Sequence, residues 1–92
     1  RPARNMVGRH VVRIRYWKEG GRIHYSVQEP DQESAVEMSE GKLHQRLTAL
    51  KAAHPDKLFT HVLFPGGKDI SQEEAYLFER SIVSRYDYYE SD

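Results

Sequence analysis

The stretch 58–83, LFTHVLFPGGKDISQEEAYLFERSIV, decides the fold. Its first seven residues are apolar except for Thr60 and His61, a run of strand length with apolar side chains on both faces. It predicts a strand at the centre of a sheet, or one whose outer face is covered. Pro65-Gly66-Gly67-Lys68-Asp69 then reads as a sharp turn. Ser71 followed by Glu74 predicts a capping box, in which the serine oxygen accepts from the amide of residue 74 and the glutamate reaches back to the amide of residue 71. Beyond it Ala75, Phe78, Ile82 and Tyr86 follow helical steps of three and four, with Val83 and Tyr89 extending the stripe. Residues 88–92 either fray or add a short last strand.

Working outward, the same unit needs a sheet to join, and the chain before it supplies one. Val12, Ile14 and Tyr16 alternate with Arg13, Arg15 and Trp17, and Ile23, Tyr25 and Val27 alternate with His24 and Ser26. This is the period-two pattern of half-buried strands. Glu19-Gly20-Gly21-Arg22 joins them, so Tyr16 faces Tyr25 and Ile14 faces Val27 on one side, while Trp17 faces His24 and Arg15 faces Ser26 on the other. Residues 29–37 hold Pro30, four acidic residues and little that is apolar, which predicts a mobile surface loop without regular structure. Ser39 is placed to N-cap a helix running to about Ala53, with Leu43, Leu47 and Leu50 on its apolar stripe, Ala49 and Ala53 widening it, and Pro55 ending it.

The resulting order is β-β-α-β-α, an α+β two-layer sandwich in which both helices cover one side of the sheet. The expected core is Val12, Ile14, Tyr16, Ile23, Tyr25, Val27, Leu43, Leu47, Leu50, Val62, Phe64, Phe78 and Ile82. The 92 residues suit one domain, residues 9–92, after a flexible lead-in of residues 1–8. A chain this short buries only about 60–65% of its unfolded surface, so its core is small. With 38% hydrophobic and 30% charged residues it belongs among globular chains, and it lacks the roughly 18 consecutive apolar residues of a membrane helix, so this segment is not expected to insert into a bilayer.

The absence of cysteine excludes disulfides, thiol catalysis and cysteine-bound zinc or iron–sulfur centres, and leaves both cytoplasm and periplasm open. Net charge is zero, yet residues 1–30 carry seven Arg and Lys against two Glu, and residues 31–92 carry seven against twelve acids. The chain is polarised.

Three constellations bear on function. The outward hairpin face, with Arg13, Arg15, Trp17, Arg22 and His24, combines cations with an aromatic platform, as surfaces that hold single-stranded nucleic acid do. Phe59, His61 and Leu63 would share that face, making an apolar and basic mixture suited to meeting a protein partner or another copy of the chain. Gly66, Gly67 and Lys68 at the start of a helix could cradle an anion, but Asp69 follows where a phosphate loop has Ser or Thr. The five histidines, His10, His24, His44, His54 and His61, form no metal-ligand spacing, and neither a metal nor another cofactor is expected. No GxSxG elbow is present, and acid pairs such as Glu73 with Glu74 fall on helix surfaces, so catalysis is not expected.

The strand pair around a glycine turn (VVRIRYWKEGGRIHYSV), the leucine helix ending at a proline (KLHQRLTALKAAHP) and the strand, turn and helix after it (THVLFPGGKDISQEEAYLFERSIV) together resemble, in order, the periplasmic domain of the ExbD/TolR biopolymer-transport family. The resemblance spans residues 10–83 in pattern. It implies a homodimeric extracytoplasmic domain of a membrane complex that acts by contact and not by chemistry, with residues 1–8 as its tether. This chain has Pro65-Gly66-Gly67-Lys68-Asp69 after its third strand, and it does not carry that family's membrane helix with the proton-carrying aspartate, so proton coupling is not implied.

Overall fold

The computed structural model describes residues 7–88. The elements run β1 (His10–Glu19), β2 (Arg22–Gln28), β3 (Val36–Met38), α1 (Glu40–Ala53), β4 (Leu58–Leu63) and α2 (Gln72–Tyr86). The architecture is an α+β two-layer sandwich with a four-stranded mixed sheet in the order β3-β2-β1-β4. The β1–β2 turn is Gly20-Gly21, with φ of 59° and 77°. Two successive left-handed residues match the twist of the flanking strands and suit glycine. The hairpin register is the expected one, with Tyr16 opposite Tyr25, Ile14 opposite Val27 and Trp17 opposite His24.

Both helices pack on one face of the sheet. Val12, Ile14, Val27, Leu58 and Val62 from the strands meet Leu43, Leu47 and Leu50 of α1 and Ile82 and Tyr86 of α2 in one buried cluster. Tyr16 is buried beside it and forms an aromatic group with Tyr25, Phe64 and Phe78, at ring-centroid distances of 5.6, 5.7 and 4.5 Å. Both helix starts follow the sequence signal: Ser39 accepts from the amide of Lys42, and Ser71 from that of Glu74. No helix of the described residues is long and apolar enough to cross a membrane.

Several expectations are corrected. Residues 29–37 contain a strand, because Val36 and Met38 flank Glu37 in a single alternation and pair with Val27 and Tyr25. Their loop is also tied down: Arg46 forks onto Glu29 through two 2.6 Å bonds, and Gln32 accepts from the amide of Glu29. The interior positions belong to β1 and β2, whereas β4 lies at the sheet edge, parallel to β1. The chain after α2 masks the Leu58 end of that edge. The Tyr88 amide donates to the Leu58 carbonyl, and the Asp87 carboxylate accepts from both the amide and hydroxyl of Thr60. An edge strand without charges is protected from pairing with other chains by cover of this kind.

Ile23, expected in the core, is 42% exposed because it sits beside the turn, at the end of the ribbon. Tyr25, Phe64 and Phe78 are only half-buried, and Ala49 and Ala53 are exposed, so α1 buries leucines alone. Glu74 does not complete a capping box: its carboxylate accepts from the Tyr16 phenol and the Lys18 ammonium. Most of the expected lead-in, Tyr89, and all but Tyr88 of the frayed or final strand lie outside the described residues.

Candidate interaction face

Period two and the sheet order together place the candidate residues. On β1, Arg13, Arg15 and Trp17 point away from the helices because Val12, Ile14 and Tyr16 point toward them. The same alternation turns His24 and Ser26 of β2 outward, and Phe59, His61 and Leu63 of β4. Register then sets the rows across the open face. His61, Arg13 and Gln28 lie side by side, as do Leu63, Arg15, Ser26 and Glu37, and then Trp17 and His24. All eight candidate residues thus share one face, with Arg22 at its hairpin end.

The side chains on this face are partly organised. The Trp17 and His24 rings stack at 5.5 Å with 16° between their planes. His24 Nδ1 lies 2.7 Å from Glu37 Oε2, which anchors the stack to the edge strand. Arg15 Nη1 donates to Gln28 Oε1 at 3.1 Å, whereas Arg13 is exposed. Beneath this layer Ser26 is 3% exposed, overlain by the longer side chains around it. Its hydroxyl, and Nδ1 of half-buried His61, are buried without a hydrogen-bond partner among the described residues. Each such atom carries a desolvation cost that a partner group or an ordered water would relieve.

The second candidate, the turn at Gly66, Gly67 and Lys68, has a different character. Gly66 and Gly67 adopt φ of 75° and 30°, but the amide of Lys68 donates to the Gly66 carbonyl and that of Ile70 to the Gly67 carbonyl. Ser71 takes the amide of Glu74. These amides are spent inside the turn and cap, and Asp69 stands exposed beside Lys68.

The histidines do not gather into one site. His10 stacks on His54 with ring centroids 3.8 Å apart, His44 Nδ1 lies 2.6 Å from the Tyr86 hydroxyl, and His24 and His61 stand on separate strands of the open face. Among the described residues no three His, Asp or Glu side chains are grouped to hold a metal.

Sequence reasoning missed one contributor to the face, Glu37, and one property each of Ser26 and His61, which it had placed there. Glu37 was hidden by the brevity of β3. Burial of Ser26 follows from the size of its neighbours, which register reveals only after the strands are paired. The burial of His61 Nδ1 without a partner among the described residues is visible only in the folded structure. Compared with protein families, characterised proteins and solved structures, the chain has no significant match.

Proposed function

We propose that this domain is a non-enzymatic interaction module that holds a protein partner, or another copy of itself, on its open sheet face. The observation that carries this reading is the combination of Arg13, Arg15, the Trp17–His24 stack and half-buried Leu63 on a sheet face that no helix of the described residues covers, with two buried polar atoms that have no partner among those residues. Tryptophan and arginine are the residue types that dominate binding energy at protein interfaces. In the setting that the transport-family resemblance implies, the module would stand outside the cytoplasm as part of a larger membrane-associated protein.

Light scattering and chemical cross-linking of the wild type and Arg13→Glu test the self-association form. A dimer that the substitution dissociates supports it, and a strict monomer at millimolar concentration ends it. A photo-reactive amino acid at position 17, used in the full-length protein in cells, tests the partner form. A discrete cross-linked adduct supports that form, and labelling by solvent alone removes it.

The Trp17–His24 stack beside Arg13, Arg15 and Arg22 supports a second reading, a platform for single-stranded nucleic acid. On that reading oligonucleotide affinity falls steeply with salt and drops on Trp17→Ala. Salt-insensitive or absent binding ends it.

A further inference from the structure

We propose that the cleft between the hairpin tip and the start of α2 receives a lysine side chain from a partner polypeptide. This surface lies on the helix side of the sheet and is independent of the open face. The cleft measures about 600 Å³ and is lined by Ile23, Tyr25, Glu40, Glu73, Leu77 and Phe78, with Tyr16 and Glu74 behind them.

The chemistry of the lining selects a cation with an apolar stem. The rings of Tyr25 and Phe78, 5.8 Å apart at 40°, pack on each other, and both are half-buried beneath the cleft. A cationic head above such rings is attracted by their quadrupoles. Of the three carboxylates, Glu74 is occupied by the Tyr16 phenol and by Lys18 at 2.9 Å. Glu40 and Glu73 stand on the exposed rim, Glu40 beside the Tyr25 phenol, which burial and then this carboxylate push above its ordinary value. Both stand in the first turns of their helices and offset the partial positive charge there, about half an elementary charge per helix, so the rim stays net negative.

The apolar rim distinguishes a polypeptide from a small amine. Ile23 is 42% exposed and Leu77 56%. Ile23 and Leu77 flank the cleft, where they would cover the methylene stem of a lysine and the apolar side chains next to it in a bound chain. A free quaternary amine would sit over the rings and leave these residues wet.

The test uses three probes followed by ring resonances of Tyr25 and Phe78: acetyl-Leu-Lys-Leu-amide, the same tripeptide with norleucine replacing lysine, and choline. The lysine peptide is expected to bind in the millimolar range and shift both rings, with the norleucine peptide at least about fivefold weaker. Glu73→Gln combined with Glu40→Gln should weaken the lysine peptide about fivefold. Leu77→Ser should weaken it with the carboxylates intact, and Trp17→Ala should leave binding unchanged. Equal binding of the two peptides would show a merely greasy groove and overturn the proposal. So would unmoved rings at tens of millimolar peptide, or choline matching the lysine peptide.

Discussion

The phenol of Tyr16, in the middle of an interior strand, donates to the carboxylate of Glu74 in the first turn of α2. Burial of the tyrosine and the nearby carboxylate push its phenol well above the ordinary value of 10.0. The tyrosine bond, followed by that of Lys18, holds the Glu74 carboxyl below its own ordinary value. The contact joins the two layers through a charge-assisted bond. Tyr16→Phe keeps the packing and removes the donor, so it should cost about 1.5 kcal/mol. Urea denaturation with an unchanged slope checks it.

Burial, and then the neighbouring His54 ring, hold the His10 imidazole below its ordinary 6.5. Glu29 and Asp31 oppose that shift and Arg46 adds to it. Folded protein therefore binds this proton less readily than the unfolded chain. Stability from neutral His10 is complete above about pH 6.5 and is lost as pH falls through that value toward the lower folded one. The urea midpoint should drop between pH 7 and pH 5, and His10→Gln should flatten the slope. Glu29, held low chiefly by its bonds from Arg46, acts in a separate window. Its stabilisation is present above the unfolded value of 4.5 and lost as pH falls through its lower folded one.

Gly20 and Gly21 carry positive φ and have open space around each Cβ position. Only backbone conformation therefore resists substitution. Gly20→Asn should be nearly neutral, because asparagine followed by glycine suits this turn, while Gly21→Val should cost about 1–2 kcal/mol. Thermal melts of the two variants make the comparison.

Ser26 is buried with an unpartnered hydroxyl beneath Arg15 and its neighbours. Ser26→Ala removes the unsatisfied group and should raise stability by about 1 kcal/mol, while weakening whatever complex uses the hydroxyl. A higher urea midpoint together with a poorer cross-linking yield is the expected pair of results.

Much of this fold was legible because period two is unambiguous where charged and apolar residues alternate strictly. Arg13 and Arg15 between Val12, Ile14 and Tyr16 set both faces of the hairpin, and the two serine caps set both helix starts. What was not legible depended on neighbours brought together by pairing. Val36 and Met38 make too short an alternation to announce a strand. The run 58–64 is apolar on both faces whether it sits at the centre or at a masked edge, and sequence does not show Asp87 arriving at Thr60. Glu74 has the spacing of a capping residue, yet a buried phenol and an ammonium nearby outcompete the amide of residue 71. The open face was readable residue by residue, but the orphaned atoms of Ser26 and His61 were not.

The parallel pairing of β1 with β4 bears on the order of assembly. Hairpin contacts are local and can form within microseconds, whereas pairing His10 with Leu58 closes a loop that spans β2, β3 and α1 and carries the larger entropic cost. During synthesis the ribbon of β1 and β2 waits with its inner edge unmatched, next to an uncharged segment still to emerge.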